Sequence, residues 1–135
     1  MVNKPVYLAA SLLAILTMVV IGASANISVF AQSDKVQATI VPGASTLTDT
    51  AYSPNPIEVT AGQTVVWTND DSAFHTVTSG SAGAPDVGKA FDSGLAGTTA
   101  LTSKGKTFEH TFDTAGDYPY FCILHPAMVG IAIVK

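Results

Sequence analysis

The stretch GDYPYFCILHPAMVGIAIVK, residues 116–135, contains two apolar segments separated by a short loop. In the first segment Tyr118, Tyr120 and Cys122 occupy every second position, so they share one face of an extended strand and point inward together. The second segment, residues 130–135, is a further short apolar strand. Strands of this length joined by short connections are typical of an all-β domain.

The same pattern continues upstream, where short strands are broken by turn residues and no 3.6-residue periodicity indicates a helix. The clearest of these strands is residues 106–112, in which ring-bearing side chains alternate with polar ones. Further strands are predicted at residues 36–41, 57–59 and 64–68, and extended structure is predicted to resume at residues 75–78. We therefore predict an all-β fold, a Greek-key β-sandwich, with the single tryptophan, Trp67, in its core.

The loop between the last two strands, CILHPAM at residues 122–128, carries a thiol, an imidazole and a thioether. Taken singly, a lone cysteine or methionine is usually a buried apolar residue. A sandwich would, however, bring this loop close to His75, which follows the strand at residues 64–68. Two histidines and a cysteine with a distant methionine are the ligands of mononuclear copper sites that transfer electrons. The predicted metal ligands are therefore His75, Cys122, His125 and Met128.

Residues 1–31 have the composition of a targeting segment, with Lys4 followed by an apolar run. Val29 and Ala31 precede a plausible cleavage point, and the predicted mature domain is residues 32–135. A cut after Ala25 is an alternative. A third possibility is no cut, because the uncharged stretch is long enough to anchor the chain in a membrane. In each case the folded domain is expected outside the cytoplasm, in a periplasmic, pseudoperiplasmic or secreted location.

The composition excludes several classes of function. Beyond residue 31 the chain has five lysines, no arginine and ten carboxylates, a formal charge of −5. This charge argues against nucleic-acid binding, and the lack of arginine argues against phosphate clamps. The single cysteine cannot form an intramolecular disulfide, although thiols oxidise outside the cytoplasm. A metal-bound thiolate would avoid that oxidation.

The sequence resembles the small blue copper proteins, or cupredoxins, of the plastocyanin, amicyanin and pseudoazurin group. The resemblance covers nearly all of residues 36–135 and is strongest at residues 67–77 and 116–128. The spacing of the last three ligands is similar to the short loop of amicyanin and pseudoazurin. The resemblance implies one copper ion in a type 1 site, with His75, Cys122 and His125 as ligands and Met128 as the axial ligand.

One position departs from the pattern of this family. Many relatives have asparagine directly after the upstream histidine, where its side chain ties the two ligand loops together, whereas this chain has Thr76. A hydroxyl group can make the same hydrogen bond, so we expect Thr76 to connect the loops. Hydrogen bonding around the cysteine sulfur also helps to set the reduction potential.

The resemblance implies a monomeric protein that carries single electrons between extracytoplasmic redox partners. The alternative is an extracytoplasmic copper store or chaperone, although such proteins usually carry repeated methionine or cysteine motifs. No enzymatic activity is expected, because copper oxidases and nitrite reductases need several more histidines for a second copper site. The one remaining histidine, His110, stands between Phe108 and Phe112 on a predicted strand and is expected to be a packed, hydrogen-bonded histidine and not a ligand.

Overall fold

The computed structural model describes residues 34–135, which form two four-stranded β-sheets around one hydrophobic core. This architecture confirms the all-β sandwich. The predicted leader, residues 1–31, lies outside the described residues, as does the predicted start of the mature domain at Gln32. Among residues 34–135, no helix has the length and hydropathy needed to cross a bilayer.

The described residues contain eight strands: β1 (Lys35–Ile40), β2 (Tyr52–Ser53), β3 (Ile57–Val59), β4 (Thr64–Asn69), β5 (Thr78–Ser79), β6 (Thr107–Thr111), β7 (Gly116–Phe121) and β8 (Val129–Val134). A single 3-10 turn, Ala44–Thr46, lies between β1 and β2. The strand order is β2-β1-β4-β6 in the first sheet and β3-β8-β7-β5 in the second. Strands are present at all four predicted positions, residues 36–41, 57–59, 64–68 and 106–112. Five of the eight predicted ends are shifted by one residue, and the other three coincide with the observed ends.

The alternation of side chains along β6 has the predicted effect. Phe108 and Phe112, the residue directly after the strand, are buried, whereas Thr107 and Glu109 are exposed. Phe108 lies opposite Trp67 of β4 in an antiparallel pair. One face of this strand therefore enters the core, and the other meets solvent.

Trp67 is fully buried at the centre of the core. Its ring centroid lies 5.7 Å from that of Phe108 and 5.8 Å from that of Phe91. On the side of the second sheet it makes an edge-to-face contact with Tyr120, at 5.6 Å between centroids. Large rings packed in this way bury much apolar area and connect the two sheets.

In the second sheet, β7 and β8 form a long antiparallel pair in which Tyr120 lies opposite Gly130. A Cβ atom at Gly130 would lie within 2.6 Å of Cε2 and Oη of Tyr120. Glycine at this position thus lets the tyrosine ring lie across β8. On the other side of β7, β5 pairs only with Tyr120 and Phe121, so at Pro119 the strand has a neighbouring strand on one side. This agrees with a residue that cannot donate a ladder hydrogen bond.

Candidate metal centre

The structure brings together three of the four predicted ligands at the end of β7. One ligand atom from each of His75, Cys122 and His125 lies within 4.8 Å of the others. The Cys122 Sγ atom is 3.9 Å from Nδ1 of His75 and 3.6 Å from Nδ1 of His125. Metal–nitrogen and metal–sulfur bonds of about 2.0 and 2.3 Å, as in zinc sites, separate two ligand atoms by roughly 3.7 Å when spread trigonally. The cluster therefore has the dimensions of a site for one metal ion.

The fourth predicted ligand, Met128, is fully buried at the other end of the same loop. Backbone hydrogen bonds close this loop on itself. The Met128 carbonyl accepts the N–H of Cys122 at 3.1 Å, and the Met128 N–H donates to the carbonyl of His125 at 2.8 Å. Cys122 and Met128 both belong to the hydrophobic core cluster. The loop is thus fixed by its own backbone bonds and by the core beneath it.

His75 is oriented by hydrogen bonds outside any regular strand. The sequence predicted extended structure from residue 75 to residue 78, but His75 makes only an isolated bridge, with Leu101. Its ring Nε2 lies 2.8 Å from Oδ2 of Asp71. A carboxylate can only accept, so in the neutral ring Nε2 carries the hydrogen and Nδ1, which faces Cys122, keeps its lone pair. This tautomer is the one that a metal ion requires.

Asp71 is a buried carboxylate that the sequence analysis did not identify. It also accepts backbone N–H groups from Gly43 at 3.1 Å and Ser72 at 2.8 Å. The hydrogen bond from His75, followed by that from Gly43, lowers the pKa of Asp71 to about 2, although burial partly opposes the shift. Its neighbour Asp70 instead pairs with Lys104 at the surface, at 2.9 Å. The signal in the sequence was an aspartate four residues before a candidate ligand, but it did not distinguish Asp71 from other polar residues of the turn.

Thr76 connects the two ligand segments, as the sequence predicted. Its Oγ1 accepts the backbone N–H of Ile123 at 2.8 Å, across 47 positions of the chain. Its own N–H donates to Cys122 Sγ at 3.3 Å. A donor to the sulfur stabilises negative charge on the thiolate, and it fixes the position of the sulfur relative to His75.

Tyr52 also supports this connection, and nothing in the sequence indicated its role. Its hydroxyl donates to the Thr76 carbonyl at 2.7 Å. Burial, and secondarily the nearby Cys122, raise the pKa of Tyr52 well above its ordinary value. Tyr52 is therefore a neutral hydrogen-bond donor that holds the Thr76 peptide in place.

His125 lies where the site meets solvent. It is half-buried, whereas Ile123 and Leu124 are 37% and 43% exposed and Pro126 and Ala127 are also exposed. We call these four residues the apolar patch. No charged side chain occurs in residues 122–129. The loop segment around His125 therefore contributes only uncharged side chains to this part of the surface.

The remaining histidine, His110, is not part of this cluster. Its ring packs against Phe91 and Phe112, each at 4.8 Å between centroids. The predicted packing of His110 is therefore confirmed, with Phe91 as a neighbour that the sequence did not indicate.

Comparison with known proteins agrees with this geometry. Residues 39–135 match the copper binding proteins of the plastocyanin/azurin family. The chain is 33% identical over 88 residues to amicyanin from Paracoccus versutus and 34% identical over 86 residues to chloroplastic plastocyanin from Tetradesmus obliquus. Each alignment covers 62% of this chain, and the chain spans 58% of the length of each of these relatives.

Among solved structures, a purple cupredoxin from Nitrosopumilus maritimus is 35% identical, with a TM-score of 0.57, and the match covers 74% of this chain and 99% of that one. A copper-containing nitrite reductase from Thermus scotoductus shares the fold at a TM-score of 0.54 and 23% identity, but only 22% of its chain is covered. The family match extends over most of the chain and includes the whole ligand cluster. The chain belongs to the plastocyanin/azurin family of copper-binding proteins, the cupredoxins, and its cofactor is copper.

Proposed function

We propose that this protein is a type 1 copper electron carrier in which His75, Cys122 and His125 bind one copper ion and Met128 is the axial ligand. The observation that carries the proposal is the convergence of a buried thiol and two imidazoles at 3.6 and 3.9 Å. A thiolate and a thioether suit Cu(I), and imidazole suits both oxidation states. Copper, when bound, supplies the one-electron oxidation and reduction.

The contribution of the protein is to hold the ligands still while the charge of the metal changes. Copper in its two oxidation states prefers different geometries, so a ligand that moves slows electron transfer. Asp71 fixes the His75 ring, and the Thr76 N–H fixes the Cys122 sulfur. Backbone bonds within residues 122–128 fix His125 relative to Cys122. These restraints come from the folded chain, and they support fast transfer with little rearrangement.

Electrons would enter and leave through His125. Its half-buried ring and the surrounding apolar patch provide a short path from solvent to the ligand cluster. Redox partners typically meet in small, weak contacts, for which a few exposed apolar side chains are sufficient. The formal charge of −5 beyond residue 31 favours partners with a basic surface around their own contact site.

We propose that the protein acts as a monomer and that its electron donor and acceptor are redox partner proteins. Its proposed location is outside the cytoplasm. The support is the composition of residues 1–31, which resembles a cleavable leader or an anchor. We propose that the mature protein begins at Gln32. Mass spectrometry of the native protein tests this point, and an intact N-terminus in the membrane fraction would establish the anchored form instead.

The geometry favours an electron carrier over a copper store, a chaperone or an enzyme. Cys122 and Met128 have no exposed surface, whereas a protein that hands over its metal needs accessible ligands. Within residues 34–135, the potential metal ligands that converge in a group of three are His75, Cys122 and His125. His110 lies apart from them, and a second copper site of the kind that copper oxidases use would need further histidines.

The visible spectrum of the copper-loaded, oxidised protein tests the proposal. Thiolate-to-Cu(II) charge transfer should give an intense absorption band with one copper ion per chain. Cys122→Ala should remove the band, and the control His110→Gln should keep it. Voltammetry of the wild type should then show a reversible one-electron couple. A wild type that stays colourless with Cu(II), or a band that survives in Cys122→Ala, would contradict the proposal.

A further inference from the structure

A chain of hydrogen bonds runs from the protein surface to the ligand loop through two buried threonines. Oδ1 of Asp92, an exposed residue, lies 2.9 Å from Oγ1 of Thr78. Thr78 Oγ1 lies 3.0 Å from Thr76 Oγ1, which is in turn 2.8 Å from the backbone nitrogen of Ile123. Ile123 directly follows Cys122, so the chain ends at the peptide group of the thiolate residue.

The chemistry of these groups fixes the direction of every bond. A carboxylate only accepts, so the single hydroxyl hydrogen of Thr78 is donated to Asp92. The geometry would also let Thr78 donate to Thr76, at 3.0 Å, but its one hydrogen is already used by the stronger acceptor, the carboxylate. The bond between the two threonines then forms with the hydroxyl of Thr76 as the donor. Thr76 also accepts the N–H of Ile123. All three bonds therefore point toward the carboxylate, an arrangement in which each bond polarises the next.

Burial makes this chain effective. Thr76 and Thr78 have no exposed surface, so water does not compete for their hydroxyl groups. The carboxylate is held in position by the N–H of Gly94, which donates to the same Oδ1 atom at 2.9 Å. The adjacent Ser93 exchanges backbone and side-chain hydrogen bonds with Val77, both at 3.0 Å. The segment that carries Asp92 is therefore bonded directly to the segment that carries His75.

We propose that Asp92 is a positioning residue of the copper site, which acts on the Cys122–Ile123 peptide through Thr78 and Thr76 and lowers the reduction potential. Its negative charge strengthens the pull on the Ile123 N–H and keeps the two ligand segments together. Negative charge transmitted toward the metal favours Cu(II) over Cu(I). The inference rests on the proposed electron-carrier function and extends it to a residue outside both ligand segments.

The reduction potential measured in four variants tests the proposal. Asp92→Asn keeps an acceptor oxygen but removes the charge, and it should raise the potential. Thr78→Val removes the hydroxyl at similar volume and should also raise it. Thr78→Ser, which retains a hydroxyl, should behave like the wild type. Asp86→Asn removes an exposed charge from the same connection between β5 and β6 and should leave the potential nearly unchanged.

The double variant Asp92→Asn/Thr78→Val distinguishes two effects of the carboxylate: action through the chain of hydrogen bonds, which we call the relay, and the direct electric field of its charge. If Asp92 acts through Thr78, Asp92→Asn should cause little further shift in the Thr78→Val background, because the two effects are coupled. A full shift in that background, or a shift in Asp86→Asn equal to that in Asp92→Asn, would overturn the proposal. If Thr78→Val does not fold, an Asp92→Asn potential equal to that of the wild type overturns it equally.

A second measurement does not depend on copper. The Ile123 amide proton should exchange more slowly and resonate further downfield in the copper-free wild type than in Asp92→Asn, with Thr78→Ser resembling the wild type. Unchanged exchange and chemical shift in Asp92→Asn would overturn the relay. Failure of the proposed function would instead appear as a missing charge-transfer band in the wild type, so the two failures are distinguishable.

Discussion

The buried carboxylate of Asp71 holds the imidazole of His75 at 2.8 Å, so that the opposite ring nitrogen faces the sulfur of Cys122. A histidine that must turn before it can bind metal loses affinity. The hydrogen bond therefore prepares the ring in both the orientation and the tautomer that copper requires.

Removal of this carboxylate should weaken copper binding. Asp71→Ala frees the ring and should lower the affinity for Cu(II) by about 10- to 100-fold, the usual effect of losing a partner of a metal-binding histidine. Asp71→Asn keeps one acceptor oxygen, so its affinity for Cu(II) should lie between those of the wild type and Asp71→Ala. Competition with a chelator measures the affinity. The control is Asp70→Asn, which removes a surface carboxylate one residue away, and an Asp71→Ala affinity equal to that of the control would contradict the prediction.

The complete burial of Met128 would suit an ordinary core residue as well as an axial ligand. Met128→Leu keeps the volume and removes the sulfur, so the free energy of unfolding should change by less than about 1.5 kcal/mol. The reduction potential should rise, because any added donor stabilises the more highly charged Cu(II). Met128→Gln, with a harder oxygen donor, should lower it. Voltammetry and urea unfolding measure the two quantities, and an unchanged potential in both variants would show that Met128 only fills space.

Gly130 should not tolerate even a methyl group. Its backbone lies under the Tyr120 ring, and a Cβ atom there would overlap with the ring atoms. Gly130→Ala should therefore destabilise the copper-free protein by about 1–3 kcal/mol, the usual cost of overpacking. Urea unfolding measures this loss. In a Tyr120→Leu background the same substitution should cost less, and an equal cost in both backgrounds would rule out the ring as its cause.

His110 should make stability depend on pH. Burial lowers the pKa of His110, although Asp113 partly opposes the shift. In the unfolded chain the pKa of His110 returns to the ordinary histidine value of about 6.5. Below this pH the unfolded chain takes up a proton at His110 more readily than the folded protein does. The stabilisation is thus complete above pH 6.5 and is lost as the pH falls toward the lower pKa of the folded state. Urea unfolding of the copper-free protein between pH 7.5 and pH 5 should show a smaller decrease in His110→Gln than in the wild type. Equal slopes would contradict the prediction.

Much of the fold could be predicted because its strands are local patterns. The alternation along β6, the central position of Trp67 and the inward face of Cys122 all follow from which side chains occupy every second position. The tie made by Thr76 could also be predicted, because the resemblance to a family placed a hydrogen-bonding residue at that position. The predicted ligands His75, Cys122 and His125 meet as expected.

The supporting residues could not be predicted, because their partners lie far away in the chain. Tyr52 reaches the Thr76 carbonyl across 24 positions, and nothing around either residue in the sequence indicates the contact. Asp92 resembled an ordinary turn residue until the structure placed it beside Thr78. The expected strand at residues 75–78 was too long for a similar reason, since His75 and Val77 bond to Leu101 and Ser93 of an irregular segment.

The complete burial of Cys122 has a consequence for the time before copper arrives. Disulfide exchange requires one sulfur to approach another, and this sulfur has no exposed surface in the folded chain. The empty protein therefore has no route to a disulfide-linked dimer while it stays folded. The folded protein can thus stay empty in an oxidising solution while its thiol remains out of reach of other thiols, so folding need not be timed to the supply of metal.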